Sequence, residues 1–217
     1  MNTEHDEWRF IARFVSESDA IENIQTDENK IYKSLCEGKI PSDGHVRAIM
    51  TLRDEAAKRT GLADEIIFRT QALIVSDQEQ KGERKLDPRD CGAYRSVNIE
   101  VVSGHIVIQK NPEPEDVPLK MASWIERVNF WQKAVEQTAP RDNLKQIARF
   151  HFEYERIHPF VDGNGRSGRA LAYWMLRFAS IPPIIFTSRD KIMNYYRCFK
   201  DPKMMINYFE NRLKSSH

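Results

Sequence analysis

Apolar residues recur along most of this chain every three or four positions, the period of a helix with one buried face. Val46, Ile49, Met50 and Ala57 follow Ser42, a residue type that caps helix starts, and stop before Gly61, a residue type that ends them. Ile66, Ile67, Leu73 and Ile74 mark a second helix within residues 62–78. Met121, Trp124, Ile125, Val128 and Trp131 predict a third that runs until Pro140, and another covers about 142–157. Leu171, Ala172, Met175 and Ala179 predict a helix broken by Pro182-Pro183, and two shorter helices are expected at about 190–199 and 202–213. One stretch changes period. Within residues 94–109, Val97, Ile99 and Val101 alternate, Ser103-Gly104 offers a turn, and Ile106 and Ile108 alternate again, which predicts a β-hairpin. The charged run 81–90, with Gly82 and Pro88, reads as a loop, and the prolines within 111–118 require an extended connection. The expected architecture is all-α: a single helical domain with one short β-hairpin.

Composition narrows the class. The 217 residues are enough for one sizeable core, and 30% charged against 41% hydrophobic residues suits a soluble globular protein. A net charge of +1 gives no basic excess for nucleic acid, and no run of about 18 apolar residues offers a membrane span. The first residues are acidic and lack an apolar signal core. Cys36, Cys91 and Cys198 form no C-x-x-C pair and read as reduced thiols. A cytoplasmic protein is expected, with neither nucleic-acid nor membrane partners.

The chemistry concentrates in one stretch, His158-Pro159-Phe160-Val161-Asp162-Gly163-Asn164-Gly165-Arg166-Ser167-Gly168-Arg169. Gly163 and Gly165 can take backbone angles closed to most residues, and Asn164 tolerates the same angles. A helix starting near Gly165 would direct free N–H groups and its dipole at an anion. Arg166 and Arg169, three apart, would share one face of that helix. Asp162 supplies a hard oxygen for a metal, and His158 a base that titrates near neutrality. A competing pattern exists: His151, Glu155 and His158 lie at i, i+4 and i+7, a set able to bind zinc, but the longer motif already claims His158.

This stretch resembles the signature of the Fic family, H-P-F-x-[D/E]-G-N-G-R-x-x-R, at every defined position. The resemblance implies a protein adenylyltransferase that moves AMP from ATP to a Ser, Thr or Tyr hydroxyl of a protein target. It implies His158 as general base, Asp162 as ligand of Mg2+, Phe160 as anchor of the loop, and Gly163, Asn164 and Gly165 as phosphate donors. Arg166 would face the α- and β-phosphates and Arg169 the γ-phosphate. A second resemblance, to the pattern [S/T]-x-x-x-E-[G/N], covers Ser18 to Asn23. It implies an inhibitory helix at about 18–24, capped by Ser18, that sets Glu22 against Arg169. The chain would then divide into an N-terminal segment, 1–30, and a catalytic domain, 31–217. The 94–109 hairpin matches the family's flap, where a target strand would dock. Tyr195-Tyr196 falls where relatives carry paired aromatics near the nucleoside. Other outcomes stay open: transfer of another nucleotide or phosphate group, removal of AMP, or a non-catalytic nucleotide-binding module. So does the choice between a single chain and a dimer.

Overall fold

The computed structural model describes residues 4–39, 42–103, 106–189 and 191–215. The chain forms eight helices among the described residues: α1 (Glu4–Ile21), α2 (Glu28–Cys36), α3 (Gly44–Ala57), α4 (Asp64–Val75), α5 (Val117–Ala134), α6 (Pro140–Ile157), α7 (Asn164–Phe178) and α8 (Pro202–Lys214). Between α4 and α5, strands β1 (Glu100–Ser103) and β2 (Ile106–Lys110) pair antiparallel, with Glu100 opposite Lys110 and a register irregularity at Val101/Val102. Residues 94–99 form no strand, so the hairpin starts later than expected, and the turn expected at Gly104 lies outside the described residues. The fold is all-α.

α7 is the axis of the domain. Every residue of it except Gly165 and Arg177 is buried, so it lies inside the bundle on nearly all sides. α3, α4 and α6 pack around it, α1 reaches its start, and α8 packs on α6. The α6 stripe Leu144, Ile147, Ala148, His151, Tyr154 and Glu155 follows the helical period, and that period buries His151 and Glu155 with the apolar side chains. Trp124, Ile147, Trp174 and Leu176 are fully buried. Burying a side chain such as Ile147 or Leu176 contributes about 1.5–3 kcal/mol.

Several boundaries differ from expectation, each for a local reason. The cap of α3 is Asp43, not Ser42: its Oδ1 accepts from the Val46 N–H at 3.0 Å, the third amide of the helix. α3 ends at Ala57, and the chain reverses at Arg59 (φ 58°) before Gly61 is reached. α2 carries only two buried apolar residues, Ile31 and Leu35, among charged ones, too few for a periodic signal; Asp27 caps it. The helix expected at 190–199 is instead a series of turns from Lys191 leading into a single 3-10 segment, Tyr196–Lys200, and Asp190 lies outside the described residues. The short helix expected at 18–24 is the last turn of the long α1. Glu4, Asp6 and Glu7 favour the start of α1, and Ile11, Ala12, Phe14 and Val15 bury it in the common core.

The close crossing of α3 and α4 rests on Gly44, where an added Cβ would lie 1.9 Å from the Leu73 carbonyl oxygen. Gly44→Ala should therefore cost about 1–3 kcal/mol in urea unfolding, the usual penalty of overpacking. Gly61→Ala, whose Cβ would meet nothing closer than Asn129 Oδ1 at 3.5 Å, should change stability far less. Equal costs at the two positions would contradict this packing.

Candidate active site

The site is a loop between α6 and α7, and its shape is fixed from within. α6 ends at His158, which turns left-handed (φ 53°) while its N–H still bonds to the Tyr154 carbonyl. Pro159 then prevents further helix. Asn164 closes the loop: its Oδ1 accepts from the Phe160 N–H and its Nδ2 donates to the Phe160 carbonyl, both at 2.8 Å. Phe160 itself is buried against the rings of Phe68 and Tyr94. Of the three residues expected at left-handed angles, only Gly163 has a positive φ (80°), because α7 already begins at Asn164. Gly163 has no side chain to cap the helix, so the first amides of α7 receive no cap from it.

Both motif arginines are buried, and each is met by a carboxylate. Arg169 is 0% exposed. Its Nε donates to Ser18 Oγ at 2.8 Å, and its Nη2 donates to the Ser18 carbonyl at 3.0 Å and to Glu22 Oε1 at 2.7 Å. Arg166, 1% exposed, makes a forked pair with Glu83 at 2.9 and 3.2 Å. Gly165 makes room for the first pair: a Cβ there would lie 2.3 Å from Glu22 Oε1 and 3.0 Å from Arg169 Nη1. Gly168 does the same on the other side, where a Cβ would lie 2.2 Å from Glu155 Oε1. Asp162 presents a side chain 46% exposed, its Oδ2 accepting from Gln78 Nε2 at 2.8 Å and its Oδ1 lying 3.6 Å from Arg166 Nη2.

Ser18 and Glu22 meet Arg169 as expected of that pair, but at the opposite end of a helix. Ser18 is not a cap; it lies inside the last turn of α1. Asn23 N–H bonds to the Ala20 carbonyl and Ile24 N–H to the Asp19 carbonyl, with Asn23 left-handed at φ 64°. That is a Schellman ending, and it makes Glu22 the residue at the helix C-terminus. A carboxylate there opposes the helix dipole. Cations offset it: Arg169 on one side, and on the other Lys191, whose Nζ donates to the Ala20 and Ile21 carbonyls and to Asn23 Oδ1. One residue beyond Ser18, buried Asp19 binds His45 at 2.8 Å and Lys81 at 2.9 Å, which ties the end of α1 to α3 and to the segment that carries Glu83. Burial alone would raise the Asp19 pKa, but His45 and Lys81 hold it well below the usual carboxylate range.

A sequence profile of the Fic/DOC family matches residues 62–176, more than half of the chain. The chain belongs to the Fic/DOC family. Curated relatives include a protein adenylyltransferase Fic of Nematostella vectensis, 32% identical over 148 residues, which are 66% of this chain and 31% of the relative. Another is the protein adenylyltransferase Fic of Drosophila grimshawi, 32% identical over 111 residues, 51% of this chain and 21% of the relative. The chain thus spans about a fifth to a third of the length of these relatives. Its fold is similar to the crystal structure of a Fic domain containing signaling protein from Bacteroides thetaiotaomicron, with a TM-score of 0.76 at 22% identity over 96% of this chain and 86% of that one. A Fic family protein from Desulfovibrio desulfuricans aligns with a TM-score of 0.70, also at 22% identity, over 99% of this chain and 66% of that one.

Within this Fic domain, sequence reasoning missed three residues that shape the site. Glu83 and Gln78 come from the segment after α4 and reach Arg166 and Asp162. Arg95, buried, donates to the carbonyls of His158, Val97 and Pro112, so one guanidinium fastens the motif loop to both ends of the hairpin. Tyr195 was expected near a nucleoside; it is buried in the core beneath Arg169, the guanidinium 5.7 Å from its ring centre. Its hydroxyl donates to His151 Nε2 at 2.8 Å, because His151 Nδ1 must donate to the Gly168 carbonyl. Tyr196 is half-buried and donates to the Ile21 carbonyl at 3.1 Å. A cavity of about 1230 Å³ between α5 and α6, lined in part by Phe130, Trp131 and Arg149, includes none of the motif residues.

The electrostatics follow from burial. Desolvation drives the Glu155 pKa up to about 8, partly opposed by Arg169, so this acid is mostly neutral at pH 7. Desolvation pushes His158 down to about 4, with Arg95 acting in the same direction. A histidine whose folded pKa lies below its unfolded 6.5 contributes stability above about pH 6.5 that is lost as pH falls through about 4. The His158 imidazole should remain neutral in NMR spectra from about pH 8 down to about pH 5.5. A midpoint at or above 6.5 would contradict the desolvation of this ring.

Proposed function

We propose that this Fic domain is a protein adenylyltransferase held back by its own Glu22. Support comes from the names of the curated relatives and from one observation in particular. The carboxylate of Glu22 sits on Arg169 of α7, beside a loop whose residue types suit a nucleoside triphosphate. In this reading Asn164, Gly165 and Arg166 amides at the start of α7, with the Arg166 side chain, hold the α- and β-phosphates, and Arg169 holds the γ-phosphate. Gly163 lets the chain approach them.

Asp162 fits a magnesium ion that arrives with the polyphosphate. Such an ion keeps waters and phosphate oxygens and takes only one or two carboxylates from protein, and Asp162 is a single, half-exposed carboxylate at the loop. When bound, it would neutralise charge on the phosphates. His158, neutral at pH 7, accepts the proton of the target hydroxyl on its imidazole. The hydroxyl oxygen forms a bond to the α-phosphorus, the bond from that phosphorus to the bridging oxygen breaks, and pyrophosphate leaves. Rigid positioning carries most of the rate. The target is a protein segment with a Ser, Thr or Tyr hydroxyl, paired along the β1–β2 hairpin by main-chain hydrogen bonds. Arg95 would pass that docking on to the loop.

Glu22 blocks this sequence at Arg169. A γ-phosphate and a carboxylate cannot share the same guanidinium edge at the same time, so the productive state requires Glu22 to leave. Glu22→Gly should therefore raise AMP labelling by ten- to a hundredfold, the population shift of a pair that biases the site by roughly 1.5–3 kcal/mol. Adding His158→Ala should return labelling to background, since a general base is typically worth ~10²–10⁴ in rate. The assay is incubation with labelled ATP, magnesium and a lysate. No gain in Glu22→Gly with any of ATP, CTP, GTP or UTP would remove the brake from the account.

A further inference from the structure

Arg169 is half of a pattern. Each of the two motif arginines is taken by a carboxylate from outside the motif, Arg169 by Glu22 and Arg166 by Glu83, and the two carboxylates belong to segments far apart in the chain. We propose that Glu83 is a second competitor for nucleotide, occupying the Arg166 guanidinium where a diphosphate would bind, so that the phosphate site opens fully only when both glutamates leave. The proposal rests on the reading of Arg166 as a phosphate-binding residue.

Four observations carry it. The Arg166–Glu83 contact is a two-point fork, the geometry with which a guanidinium also grips two phosphate oxygens. The same donor edge cannot serve both. Arg166 is buried to 1% exposure whereas the Glu83 side chain is 20% exposed, so the carboxylate stands on the open side of the pair and can withdraw without moving α7. The Arg166 Nε–H is buried with no hydrogen-bond partner among the described residues, a donor that Glu83 leaves unused. Finally, Glu83 follows Gly82, which is left-handed (φ 77°) with no atom within 4 Å of where a Cβ would stand. The Glu83 backbone stays tied through its N–H to the Gln78 carbonyl, so open space beside Gly82 leaves the side chain as the part that moves. Asp162 adds a reason to leave. It lies 3.6 Å from the same guanidinium, so a phosphate arriving between Asp162 and Glu83 would face two carboxylates for one cation.

The two competitors act on different phosphates and are separable. Glu22 opposes the γ-phosphate, which ADP lacks; Glu83 opposes the α- and β-phosphates, which ADP has. In calorimetric titrations with magnesium, Glu83→Gln should tighten ADP binding about tenfold, the scale of one charge-assisted hydrogen bond. Glu22→Gly should leave ADP affinity nearly unchanged and tighten ATP, and the double variant should bind ATP tighter than either single one. In an Arg166→Gln background, Glu83→Gln should change nothing. Glu83→Asp, which keeps the charge but shortens the reach and breaks the fork, should give an intermediate gain and serves if the Gln variant is poorly folded by thermal melting.

Unchanged or weaker ADP binding in both Glu83 variants, beside tighter ATP binding in Glu22→Gly, would overturn the proposal and leave the transferase reading standing. Absence of nucleotide binding in every variant would overturn both.

Discussion

A guanidinium cannot lie bare inside a protein. Taking it out of water costs several kcal/mol unless acceptors and a counter-charge replace the solvent. Arg169 is completely buried on the central helix, and this constraint organises its surroundings. It draws in the end of α1, where Ser18 offers both a hydroxyl and a carbonyl and Glu22 a carboxylate. It explains why glycines stand at 165 and 168, where side chains would collide with Glu22 and Glu155. Burial opposes the arginine's charge, yet Glu22, Tyr195 and Glu155 together raise its pKa above the ordinary value. A buried cation met by a removable anion is stable without substrate and receptive to a stronger anion. In the proposed reading, stability of the resting state and suppression of activity are one interaction.

The surrounding charges keep that anion in place. The C-terminus of α1 would repel Glu22, and Lys191 from near the other end of the chain restores the balance by binding the last carbonyls. Asp19, His45 and Lys81 form a buried link between this helix end and the segment bearing Gln78 and Glu83. The candidate phosphate site is therefore enclosed by a connected set of charged contacts, while His158, the proposed base, is stapled separately by Arg95 to the hairpin.

The legible parts of the site were those written in short-range spacing. His158 to Arg169 lie within one loop and the first two turns of one helix, so their residue types and intervals survive as a pattern. The helices of the core were legible because each buries one apolar face. Glu83 and Arg95 were not, since an ion pair spanning 83 residues leaves no periodic mark. The reading of Ser18 failed in an instructive way. Serine suits helix starts and asparagine suits either end, and only the hydrogen bonds of Asn23 and Ile24 reveal that this is an end. Asn164 was expected to offer angles for phosphate; its side chain instead locks Phe160, which a sequence cannot distinguish.

The central claim is that Glu22 and a triphosphate compete for the same guanidinium. The most direct test is a double-mutant cycle on ATP affinity, using Glu22→Gln and Arg169→Gln alone and together. The account predicts that Glu22→Gln tightens ATP binding about tenfold when Arg169 is present and has no effect once Arg169 is removed. An equal effect of Glu22→Gln in both backgrounds would show that Glu22 acts elsewhere and would contradict it.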